Sequence, residues 1–165
     1  MLKKEAKELQ VLETREALDV TSPDRGRRAS TVVLHHAAVF VENLDRSASF
    51  YADVLGLEVT DRAHLPAIGI EQVFLSAGHK HADLVLARRL NGSVAPPDKR
   101  ELFHLAFELP REQPFEEFLE RVSREGVSVV AGPMERPARF DGSGSRTAAY
   151  LRDPDGYLLE VTQEH

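Results

Sequence analysis

Two octamers in this chain, "LHHAAVFV" at residues 34–41 and "LFHLAFEL" at residues 102–109, align without a gap and place His36 on His104 and Ala38 on Ala106. A repeat of this kind limits the fold more than any other feature, because one supersecondary unit must be built twice and packed. Each octamer leads into a helical pattern. In the first copy Leu44, Ala48, Tyr51 and Leu55 recur on one face, and in the second Phe115, Phe118, Leu119 and Val122 do so. Gly56 and Gly126 follow, suited to the left-handed turn after a helix, and extended stretches come next, "LEVTD" and "VSVVAG". Two further strands complete each copy: "IEQVFLSAG" and "HADLVLARR", then "RTAAYLRD" and "YLLEVTQ", the last pair joined by the turn "DPDG". The expectation is an α+β fold of two βαβββ modules, residues 31–90 and 100–163, in one domain spanning 31–163. The Pro- and Gly-rich connector at residues 91–99 reads as the hinge.

Residues 1–30 stand apart. A Lys-, Glu- and Leu-rich stretch reads as a polar helix and "TSPDRGRRAS" as a linker, so the segment is expected to be a helical extension without chemistry of its own. The formal charge of −6 argues against a general nucleic-acid surface. The absence of cysteine excludes disulfides, thiolate nucleophiles and zinc–cysteine sites. No apolar run reaches the length of a membrane span and the N-terminus has no signal-like apolar core, so a cytoplasmic protein is expected.

Chemistry concentrates on three side chains. Alternation along a strand puts His36 with Ala38 and Phe40 on one face and His35 with Ala37 and Val39 on the other. His35 matches Phe103 of the second copy, which suggests a packed, helix-facing slot, whereas His36 matches His104. One histidine on a strand is ordinarily a packing residue; two at one repeat position point to a shared cleft. Glu160 is the acidic residue of an otherwise apolar strand, and a carboxylate buried there needs a partner. Two imidazoles and a carboxylate form a facial triad of the kind used by non-haem Fe(II), and the same set suits Mn, Co, Ni or Zn.

The segments "HHAAVFVENLDRSASFYADVLGLEV", "FHLAFEL" and "YLRDPDGYLLEV" resemble the vicinal oxygen chelate superfamily, which includes glyoxalase I, extradiol dioxygenases, methylmalonyl-CoA epimerase, and fosfomycin- and bleomycin-resistance proteins. The resemblance implies paired modules forming a curved mixed sheet around a metal-binding cleft. It implies metal ligands at His36, His104 and Glu160. Glyoxalase-type members carry a fourth ligand on the last strand of module one, where Asp83 or Val85 falls in the slot.

The same resemblance carries expectations about activity. Three ligands, with Tyr150 ten residues before Glu160, are similar to the extradiol pattern, so a dioxygenase acting on a small substrate with vicinal oxygens is the first expectation, with Fe(II) favoured and Tyr150 catalytic. Against it, "HKHADL" lacks the paired histidines of the ring-cleaving enzymes, although His79 or His81 could compensate, and "DGSGSR" lacks their loop histidine. The alternatives are a glyoxalase- or epimerase-type lyase or isomerase, with Asp83 or Glu160 as base, and a small-molecule sequestering resistance protein. Arg146 and Arg152 are expected near the rim, where either could meet a carboxylate. A homodimer is expected from the family habit and from open sheet edges.

Overall fold

In the computed structural model, residues 34–78, 80–92, 102–138 and 144–165 are described. The extension at residues 1–30, His79 and most of the connector lie outside them. The chain divides into two compact units, and among the described residues module one comprises residues 34–103 with the turn 153–157, and module two residues 104–152 with 158–165.

Module one runs β1 (Ala37–Phe40), α1 (Leu44–Leu55), β2 (Glu58–Leu65), a short 3-10 turn (Pro66–Ile68), β3 (Ile70–Ser76) and β4 (Leu84–Arg89). Its sheet has the order β1-β4-β3-β2, with β1 parallel to β4 and the remaining pairs antiparallel. The helix starts where Asn43 in extended conformation accepts a hydrogen bond from the Arg46 amide at 3.0 Å. It stops at Gly56, whose φ of 75° admits the left-handed turn and lets the Leu57 amide return to the Tyr51 carbonyl. Leu44, Ala48, Tyr51 and Val54 are buried in this helix, and Val39, Val41, Val73, Leu75, Leu84 and Leu86 complete the apolar layer beneath it. Each fully buried aliphatic side chain contributes about 1.5–3 kcal/mol.

Module two repeats the order with β5 (Leu105–Glu108), α2 (Phe115–Arg124), β6 (Val129–Pro137), β7 (Ser145–Arg152) and β8 (Leu158–Glu164). Its sheet order, β5-β8-β7-β6, is the counterpart of the first. α2 has no side-chain N-cap; Glu116 and Glu117 in its first turn and Arg121 and Arg124 in its last complement the helix dipole instead. Phe115, Phe118 and Val122 are its buried residues, and Gln163 on β8 donates to the Pro110 and Gln113 carbonyls just ahead of it. β6 is irregular between Ala131 and Met134. There Gly132 has a φ of +89°, and a Cβ added to it would stand 2.5 Å from the Ala148 carbonyl oxygen, so the close approach of β6 to β7 requires glycine.

The turn "DPDG" does more than reverse the chain. Asp153 accepts from the Asp155 and Tyr157 amides and from Tyr51 Oη at 2.9 Å, while Asp155 accepts from the Glu42 amide at 2.7 Å, Ser47 Oγ at 2.6 Å and Arg46 Nη2 at 3.2 Å. Both carboxylates are buried, and Tyr157 Oη donates to the Phe40 carbonyl. These bonds are why the turn belongs with module one although it joins β7 to β8.

Candidate metal centre

In module two, the register pairs Tyr150 with Glu160 directly across β7 and β8, and Ala106 with Glu160 across β5 and β8. His104, just ahead of β5, therefore comes onto the Glu160 face. The result is a compact cluster. His104 Nε2 lies 3.4 Å from Glu160 Oε2, Tyr150 Oη donates to Glu160 Oε1 at 2.9 Å, and Arg146 Nη2 lies 3.6 Å from the same Oε1. Glu160 and Tyr150 are buried. Burial first, and then the Glu160 carboxylate, push the Tyr150 phenol above its usual range, so it keeps its proton and serves Glu160 as a donor.

The donor set suits a divalent ion. Two ligand atoms held at about 2.0–2.2 Å from one tetrahedral zinc stand about 3.3–3.6 Å apart, which brackets the separation of His104 Nε2 from Glu160 Oε2. With Oε1 taken by the Tyr150 hydroxyl, Oε2 is the oxygen that faces His104.

In module one, His35 and His36 both precede the first residue of β1, and both are exposed. The packed position expected for His35 is not found: strand alternation begins only at Ala37, so nothing carries the His35 ring to the helix side. Its ring instead meets His36 edge-on, with the two Nδ1 atoms 2.7 Å apart. That bond occupies His36 Nδ1 and leaves Nε2 as the nitrogen for a ligand.

The fourth-ligand slot is also resolved. Val85 stands opposite Ala38 in the first sheet as Glu160 stands opposite Ala106 in the second, so Val85, fully buried and without a donor atom, holds the equivalent of the Glu160 position. Asp83 is occupied elsewhere, accepting from the Ala77 amide at 2.8 Å and pairing with Lys80 at 3.1 Å in the β3–β4 connection. Its carboxylate thus caps that turn. Among the described residues, no group of three or more His, Cys, Asp or Glu side chains is gathered as a metal site. Module two brings His104 and Glu160 together.

Of the other expected residues, Arg146 lies against Glu160, whereas Arg152 is exposed at the end of β7. The His81 side chain is more than half exposed, beside Phe74 and 3.8 Å from Asp61. One ion network escaped the sequence reading. On the helix side of the first sheet, a pocket of about 500 Å³ is lined by residues including Asp45, Arg62, His64, Glu71 and Arg88. Arg88 and His64 both bind Glu71 there, and the hydrogen bond from Arg88 holds the Glu71 carboxyl below its ordinary range. No helix among the described residues is long and apolar enough to cross a membrane.

Comparison with known proteins adds the family. Residues 33–161 match the model of the glyoxalase/bleomycin resistance protein/dioxygenase superfamily. Lactoylglutathione lyase of Neisseria meningitidis is 32% identical over 134 residues, covering 79% of this chain and 90% of that protein. The enzyme of the same name from Salmonella typhimurium is 28% identical over 79% of this chain and 91% of its own length. Among solved structures, the trypanothione-dependent glyoxalase I of Leishmania major superposes with a TM-score of 0.61 at 24% identity, over 78% of this chain and 84% of that one. The fosfomycin resistance protein FosX of Listeria monocytogenes, solved with Mn(II) and sulfate, superposes with a TM-score of 0.56 at 18% identity, over 79% and 91%. These two likenesses concern the fold. The expectation of a dioxygenase, and with it an oxidoreductase using iron, finds no support, because the relatives matched in sequence are lyases. From its βαβββ repeat to its matched length, the chain belongs to the glyoxalase/bleomycin resistance protein/dioxygenase superfamily.

Proposed function

We propose that this chain is a divalent-metal-dependent lyase or isomerase of the glyoxalase or epimerase type, acting without redox change on a small molecule with two neighbouring oxygens. The observation that supports it most directly is the Tyr150–Glu160–His104 cluster, read with the lactoylglutathione lyase relatives. His104 and Glu160, with His36, are the proposed ligands, and Zn, Ni or Co the metals that suit them. A bound divalent ion supplies Lewis acidity, lowering the cost of removing a proton next to a carbonyl.

The protein's own groups do the rest. Glu160 is the base for the C–H next to the carbonyl, replacing Asp83, which is committed to its turn. Glu160 carries that proton and returns it to carbon, at the neighbouring atom or the opposite face, while Tyr150 keeps its own proton and orients Glu160 through Oε1. Ala106 and Ala148 share the sheet face with these groups and give the reacting carbon an apolar surround. A homodimer and a cytoplasmic location accompany this reading.

The test is metal analysis of protein purified without added metal, then turnover of 2-oxoaldehyde–thiol adducts and 2-methyl-3-oxo thioesters under anaerobic conditions. Turnover unaffected by removing oxygen, with Zn, Ni or Co, is expected. Activity that consumes oxygen and requires Fe(II) would overturn the proposal.

A further inference from the structure

Deepening that reading and resting on it, we propose that the substrate carries a carboxylate, which Arg146 receives beside the Tyr150–Glu160 corner. Arg146 lies on the same sheet face as Tyr150 and Glu160, in the register Arg136–Arg146–Glu164. Its one ion pair among the described residues is loose. Nη2 is 3.6 Å from Glu160 Oε1, beyond hydrogen-bond reach, and that oxygen already receives the Tyr150 hydroxyl at 2.9 Å. Its Nε is buried and donates to no acceptor among the described residues, although the side chain as a whole keeps 32% of its surface open.

A buried guanidinium N–H without an acceptor is costly, so an acceptor belongs at that place when the site is working. Nε and Nη2 lie along one edge of the guanidinium, the planar fork that fits the two oxygens of a carboxylate.

The charges nearby point the same way. Arg136 stands in register opposite Arg146 across β6 and β7, so this part of the face is cationic. Glu164, opposite Arg146 on β8, turns its carboxylate to Arg111 at 3.7 Å. Glu160, once committed to a cation, has no charge left over for Arg146. A substrate carboxylate would satisfy Nε and Nη2 together, and it would fix the chelating oxygens in one orientation relative to Glu160.

The test compares benzoate with benzamide, equal in shape and different in charge, by NMR titration of the zinc-loaded full chain. The wild type, Arg146→Gln and Arg146→Lys are titrated after their folds are checked from the same spectra. The wild type should bind benzoate about tenfold more tightly than benzamide, or better, with that preference lost in Arg146→Gln and partly kept in Arg146→Lys, which retains charge without the fork. An equal preference in the wild type and Arg146→Gln would overturn the inference, because the ion alone would then be attracting the anion. Zinc content is measured separately on each sample. Failure of the wild type to take up zinc sinks the lyase reading; the preference is then read on metal-free protein, where its loss in Arg146→Gln upholds the carboxylate site and its persistence overturns it.

Discussion

Val85 occupies in the first sheet the register position that Glu160 occupies in the second, so pseudo-symmetry places a side chain with no donor atom where its counterpart has a carboxylate. On the proposed reading His36, His104 and Glu160 would hold the ion, and a carboxylate at position 85 would add a donor. Val85→Glu is expected to tighten zinc binding by about tenfold or more, each factor of ten being about 1.4 kcal/mol. Competition with a zinc-sensitive dye measures it. Unchanged affinity in a folded variant would mean that Val85 does not face the ion.

Tyr150→Phe removes the donor that occupies Glu160 Oε1 while keeping the ring that fills the site. Partners that orient a ligand typically cost about 10–100-fold in metal affinity or activity when removed, and a loss of that order is expected here. The melting temperature of metal-free protein should shift little. If instead stability collapses and zinc affinity in the surviving fold is untouched, Tyr150 is a packing residue.

How far the sequence could be read depended on whether a residue acts within its own strand or across distance. The βαβββ order was legible because apolar spacing and glycine stops are local signals, as at Leu44, Ala48, Tyr51 and Gly56. His104 was legible through the repeat and Glu160 as the acidic residue of an apolar strand, while it was the family resemblance that set them together. His35 was misplaced because alternation was extended two residues ahead of the point where β1 begins. Asp83 and Val85 could not be separated without the β1–β4 register, which depends on the length of the β3–β4 connection. Asp153 and Asp155 were read only as turn formers, since their partners Tyr51 and Ser47 lie about a hundred positions away in sequence. Branch assignment failed for a different reason: a triad of His, His and Glu names a ligand set and no single reaction.

Asp155 is expected to matter for stability rather than catalysis. Asp155→Ala would leave the Ser47 hydroxyl and the Glu42 amide without their acceptor in a buried position, at a cost of about 2–4 kcal/mol for the group. Urea denaturation followed by far-UV circular dichroism measures the loss. A change under about 0.5 kcal/mol, the range of ordinary surface substitutions, would show that water replaces those bonds freely.

Asp153 predicts the sign of a pH effect. Burial raises its carboxyl above the ordinary value of 3.8, outweighing the hydrogen bonds from the Tyr157 amide and Tyr51 that pull it down. Between the unfolded and folded pKa values the folded protein holds more protons than the unfolded chain, so stability falls as pH rises through that window. The contribution of Asp153 is thus fully present below about pH 3.9 and is lost as pH climbs past its raised folded value. Glu71, held low by Arg88, slopes the other way and loses its contribution as pH falls. Asp153→Asn is neutral at every pH and still offers an oxygen to the Asp155 and Tyr157 amides, so its stability relative to wild type should improve as pH rises from about 4 toward neutrality. Urea midpoints at several pH values give that difference directly, and a difference that stays flat or runs in the opposite direction would show that the hydrogen bonds to Asp153 outweigh its burial.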